Sequence, residues 1–269
     1  MIAADQLDEL ADYLENLGDL SSQQSWQLHE IVQNSGMSFE EQWDIIIDQF
    51  PEIITAYEEQ SMVVTAEWWA NNAGSMPELA VPETVADPKK VRDALTLSFA
   101  GIAEEHYDDL FLTLSKAWAY RSVFEAQRTM MANYIADNGL RYARHAQPGA
   151  CAFCRFMACR GGVYRPEPLH EKSSEEMAYL HTLETLEGSE RYKFMRTHKA
   201  IKKQSKHLGR LNQNYAKFHD HCRCMVVPAP VYKKPDYLLG WERLFDETYT
   251  GELKSTLAAM READPLLHH

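Results

Sequence analysis

The first 88 residues contain no lysine and no arginine, against 18 aspartates and glutamates. All 27 basic residues lie in 89–269 with the other 22 acidic ones. The overall net charge of −13 therefore conceals a uniformly acidic N-terminal third and a remainder at +5. An acidic surface of this kind is repelled by polyanions and suited to protein contacts, whereas the remainder can face a polyanion. Also missing is an apolar run of the roughly 18 residues that a membrane span requires, so no membrane association is expected. The opening MIAADQLDEL has no basic segment followed by an apolar one, and no secretory signal is expected. Glycine (12) and proline (11) are too sparse for a low-complexity chain. Five cysteines, an odd number without a secretory signal, argue against a disulfide framework. Signatures of catalysis are absent too: there is no G-x-S-x-G, P-loop, G-x-G-x-x-G or H-E-x-x-H. No catalytic residue is assigned, and the expectation is a protein that is not an enzyme.

Apolar spacing fills the acidic third with helices. Leu7, Leu10, Ala11 and Leu14 share one face of a helix over 4–17, and 21–34 is a second candidate. Ser38 and Glu41 make a capping box, in which each side chain bonds the other residue's backbone N–H. Behind it Phe39, Trp43, Ile46, Phe50, Ile53 and Tyr57 step by fours and threes, a stripe that packs into a core. Pro51 within the stripe predicts a kink or a break. The segment 71–86, with one Gly and two Pro, reads as a linker. Asp87-Pro88 starts a helix to about residue 100, and a longer helix covers about 104–137, closed by Asn138-Gly139. Short apolar pieces at 140–144, 163–164 and 225–227 predict short strands. Residues 239–262 are helical again. The expected organisation is an acidic helical region (1–86), long helices (87–139), a Cys/His metal-binding domain with a basic insertion (140–235) and a C-terminal helix (236–269). The fold class is α+β: a mainly helical N-terminal region, a small zinc-stapled α+β domain and the C-terminal helix.

The chemistry gathers in the cysteines. Cys151-Ala-Phe-Cys154 is a C-x2-C pair, and His219-Asp-His221-Cys222-Arg-Cys224 follows after a long insertion. A short C-x2-C turn lets two thiolates face one ion, and a second compact group completes a tetrahedral set. Thiolate with imidazole suits Zn2+. The candidate ligands are Cys151, Cys154, His219, Cys222 and Cys224, with Cys151, Cys154, Cys222 and either His219 or Cys224 as the preferred four. Four protein ligands leave no place for water, so the site is structural. Cys159 is expected to be a core thiol. Within the insertion, 191–210 carries eight Lys/Arg and no acid. Helical spacing puts Arg196, Lys199, Lys203, Lys206 and Arg210 on one face, suited to non-specific phosphate contacts; a solvated helix face is the plainer alternative.

The strings PGACAFCRFMACRGGVY and FHDHCRCMVVP, with FEEQWDIIIDQFPEIITAYEEQSMVVTAEWWANN, RYARHAQ and LAAMREADP, resemble Mu F-like minor capsid (head morphogenesis) proteins of tailed bacteriophages, in their actinobacterial phage type. The resemblance implies a structural and assembly role in the virion, inside the head near the portal, after assembly in the host cytoplasm. It implies the portal protein as partner, with the major capsid or scaffolding protein and non-specific contact to packaged double-stranded DNA. Its metal-like positions fall on Cys151, Cys154, His219, Cys222 and Cys224. Two other classes stay open: a metal-dependent nuclease or head protease, and a zinc-stabilised nucleic-acid-binding regulator.

Overall fold

A computed structural model describes residues 1–79, 81, 88–99, 107–164, 182, 185 and 222–264. The chain divides into two units, Met1–Tyr164 with Phe218–His269, and Arg165–Lys217. The helices and strands below all belong to the first unit.

Helix α1 (Ala4–Gln33) is continuous where the spacing suggests two helices. Gly18 is the reason for the difference. It sits buried within α1, and a Cβ there would lie 2.9 Å from Tyr120 Cδ1, so the missing side chain makes room for a tyrosine of another helix. Helix α2 (Phe39–Asn72) begins at the expected capping box: Glu41 N–H donates to Ser38 Oγ at 3.4 Å, and Ser38 N–H to Glu41 Oε2 at 2.9 Å. The bonds that the Glu41 carboxylate accepts from the Ser38 N–H and hydroxyl hold it below its ordinary pKa. The helix then runs through Pro51 without a break. A proline inside a helix costs about 3 kcal/mol, but Phe50, Pro51 and Ile54 are all buried, and that packing holds both halves in one element. Phe39 and Trp43 pack on the core as expected, while Ile54 rather than Ile53 is the fully buried residue in the next turn.

Helix α3 (Pro88–Phe99) packs on α2, and α4 (Tyr107–Asp137) packs on both α1 and α2. Val32, Ile46, Phe50, Ile54, Val91, Leu95, Tyr107, Phe111 and Ala119 form the shared core of these four helices. Gly139, at φ +60, closes α4: its N–H donates to Ala136 O, and the Leu140 N–H donates to Ile135 O at 2.9 Å. This is the left-handed C-terminal motif that glycine favours.

Beyond it the chain enters β1 (Tyr142–His145), helix α5 (Ala152–Cys159) and, after the insertion, β2 (Met225–Pro228). The strands pair antiparallel, with His145 opposite Met225 and Tyr142 opposite Pro228. The third expected strand contributes only a single bridge, Tyr164 to Tyr142. The fold is therefore mostly helical with one small two-stranded sheet. The C-terminal segment forms two helices instead of one, α6 (Leu238–Thr248) and α7 (Leu253–Ala263). The interruption falls where Tyr249 is extended and Gly251 takes φ +83. Among the described residues, no helix is long and apolar enough to cross a membrane.

The acidic helices and the cysteine-bearing region are built together. Ile2 N–H donates to Val231 O at 2.7 Å. Asp8 of α1 meets the buried His145 of β1 at 2.9 Å, and Glu15 of α1 meets Arg223 at 2.9 Å. In the same unit, α4 packs against β2.

Candidate metal centre

Cys151 is the N-cap of α5, with extended backbone at φ −66 and ψ 164, and Cys154 is the third helical residue. These are the two positions that approach each other in a capping box, so a C-x2-C pair at a helix start brings its thiols together. Here the Cys151 and Cys154 thiols are hydrogen-bonded. Cys222 and Cys224 arrive from the other side. They lie two apart on the segment that leads into β2, and alternate residues of an extended chain share a face. Arg223 between them points away, to Glu15 and over the Tyr120 ring at 4.6 Å. The sheet register brings the two groups together. His145 pairs with Met225, so the residues just before β2 lie beside those just after β1.

The Sγ atoms of Cys154, Cys222 and Cys224 fall within 4.8 Å of one another, and Cys154 and Cys222 are 3.3 Å apart. All three residues are buried, at 2%, 4% and 2% exposure. A tetrahedral ion with metal–sulfur bonds of about 2.3 Å needs sulfurs about 3.8 Å apart. The three thiols therefore fit a metal ion. Cys151, half-buried and hydrogen-bonded to Cys154, is not among the three. His219 lies outside the described residues, as do Arg196, Lys199, Lys203, Lys206 and Arg210. Cys159 stands apart from the three, half-buried against the same apolar cluster as Trp241 and Leu238. Burial raises its thiol pKa to about 11, the behaviour of an inert core thiol.

Within the cluster the thiols are driven apart, Cys222 toward thiolate and Cys154 and Cys224 toward the neutral thiol. Hydrogen bonds from Cys154 and Cys224, aided by the positive charge of Arg128, draw the Cys222 thiol strongly toward thiolate. The Cys154 thiol is pushed the other way, because its bonds with Cys151 and Cys222 hold its proton.

Two residues that belong to no sequence motif hold this segment in place. From α4, Arg128 donates through Nε to Cys224 O at 2.8 Å and through Nη2 to Cys222 O. Its neighbour Gln127 donates to Val226 O at 3.0 Å and accepts from Val226 N–H at 3.3 Å, as a partner strand would. Their signal in the sequence is a Gln-Arg pair inside a stretch of α4 that is buried almost all round, from Ser122 to Ile135. Buried polar side chains require partners, and these two find theirs on the cysteine segment.

The family described as VG15 protein matches residues 1–248. No curated protein and no solved structure matches the chain.

Proposed function

The chain belongs to the VG15 family, which is phage-associated, and from that premise we propose that it is a minor capsid, head-morphogenesis protein of a tailed phage. The observation that carries this reading is the extent of the family match, 248 of 269 residues. Its place is the interior of the head at the portal vertex, with the portal protein as partner. The motif resemblance over 148–164 and 218–228 supports that finer assignment.

Zinc is the ion proposed for the cysteine centre, because a thiolate-rich set suits it and it brings no redox chemistry. Bound there, it would supply a tetrahedral cross-link. Cys154, Cys222 and Cys224 would hold it, with Cys151 or His219 as the fourth donor. These residues fasten the return of the chain at 222 to α5. The two ends of the 165–221 insertion are fixed in a second way, because Tyr164 bridges to β1 while Cys222 precedes β2. On this reading the staple would anchor the two ends of the basic insertion. Arg196, Lys199, Lys203, Lys206 and Arg210 would touch packaged DNA without sequence preference. Acidic α1 and α2 would face protein. A centre with four protein donors would keep no place for a water, and that favours a structural role over an enzymatic one.

Localisation in purified virions tests the reading. Quantitative mass spectrometry should find the chain at low copy relative to the major capsid protein. An affinity-tagged chain should co-purify with portal protein from assembling heads. Absence from both mature particles and assembly intermediates overturns the proposal.

A further inference from the structure

We propose that Arg128 is the charge partner of the cysteine centre and sets how tightly the centre holds its ion, an inference that rests on reading the three thiols as a metal site. Arg128 is 6% exposed and lies on the helix behind the site. A buried guanidinium is costly to desolvate unless opposing charge is close. The Arg128 Nε and Nη2 bond the carbonyls of Cys224 and Cys222, which sets the guanidinium beside the clustered cysteines. Glu125, one turn earlier on α4, is itself engaged by Arg121 at 3.3 Å.

A divalent ion held by three thiolates carries one net negative charge. The centre and the guanidinium therefore relieve each other's burial. The geometry enforces the pairing, because the fork is tied to the backbone carbonyls of the same two residues whose thiols face Cys154. Those carbonyls orient the guanidinium but do not neutralise it. Gln127 offers an internal contrast: it clamps Val226 through two hydrogen bonds and carries no charge.

The test is zinc affinity of the purified full-length chain, measured by competition with a chromophoric chelator at fixed pH. Arg128→Gln removes the charge and keeps a donor. Arg128→Lys keeps the charge and loses the fork. Gln127→Leu removes the neighbouring clamp. Partners behind the ligands are typically worth about 10- to 100-fold in metal affinity, and Arg128→Gln should lose an amount in that range. Arg128→Lys should stay close to the parent, and Gln127→Leu should lose stability while keeping affinity. Parent-like affinity in Arg128→Gln overturns the proposal, as does a Lys variant as weak as the Gln variant. Equal losses in Arg128→Gln and Gln127→Leu reduce Arg128 to a mere clamp and overturn it too. If Arg128→Gln does not fold, Arg128→Lys alone decides: affinity far below the parent's refutes the charge role. A parent chain that binds no zinc fails earlier and differently, by removing the metal centre itself.

Discussion

Gly18→Ala opposes two effects of similar size, and the structure says which wins. In an exposed helix, alanine for glycine stabilises by about 1 kcal/mol. At Gly18 the new Cβ would lie 2.9 Å from Tyr120 Cδ1 and 3.2 Å from both Cε1 and Cγ. Those are ring atoms, not the tip of a flexible chain. Nor is the ring free to swing aside, because its hydroxyl is bonded to Asp19 and Arg223 lies over its face at 4.6 Å. Overpacking of this kind costs about 1–3 kcal/mol. The propensity gain offsets part of that, leaving a net destabilisation of about 1 kcal/mol. Gly18→Val adds more bulk and a β-branch, and should reach the upper part of the overpacking range. Urea denaturation at a constant zinc concentration reads the effect as a shift in midpoint. The control is Tyr120→Ala, which removes the obstacle. In that background Gly18→Ala should change sign and stabilise, by about 1 kcal/mol. If Gly18→Ala stabilises the otherwise unaltered chain, the close approach of α1 to α4 is refuted.

Four further outcomes follow from the same structure. Cys154→Ser should destabilise the chain far more than Cys159→Ser, judged by thermal unfolding with zinc present, because only the first removes a proposed ligand; equal effects would contradict the ligand assignment. His29 is buried between Trp26, Tyr107 and Phe111, and desolvation lowers its pKa despite the Asp108 carboxylate at 3.0 Å. Its folded form thus binds fewer protons than the unfolded chain. Stability should therefore fall as pH drops below the unfolded value of about 6.5, and His29→Gln should flatten that slope. Replacing Arg196, Lys199, Lys203 and Lys206 by Gln should weaken DNA binding and lower its log–log salt slope by about one unit for each phosphate no longer neutralised; an unchanged slope returns the stripe to a solvated face. Deleting residues 1–88 should leave an unfolded chain by circular dichroism, because α1 and α2 supply half the core around α4 and the Asp8–His145 and Glu15–Arg223 pairs.

Local chemistry was legible from the residues. The Ser38–Glu41 box, the Asn138-Gly139 stop and the length of α4 all depend on side chains within one turn of the feature they define. The meeting of Cys154 with Cys222 and Cys224 was legible for the same reason, since a C-x2-C turn and an extended C-x-C segment each orient their own thiols; Cys151 stands outside that group and His219 outside the described residues. What escaped the sequence depended on distant partners. Gly18 looks like a helix end until Tyr120, more than a hundred residues later, fills the space beside it. Pro51 looks like a break until the burial of its neighbours holds the helix together. The end of α2 gives no local sign of its ties, yet Trp68 Nε1 bonds Gln6 O at 3.1 Å and Trp69 Nε1 bonds Pro77 O at 3.1 Å. Those hydrogen bonds tie the end of α2 to the start of α1 and to the segment that follows. Arg128 is the clearest case, because nothing within its own helix indicates that its hydrogen bonds reach across 94 and 96 residues.

Metal content of the folded chain tests the central structural claim most directly. Protein purified without chelator, and shown to be folded by circular dichroism, should contain close to one equivalent of zinc by elemental analysis. Strong chelation should remove that zinc together with cooperative unfolding at the original temperature. A fully folded, metal-free chain that neither takes up zinc nor gains stability from it would contradict the account.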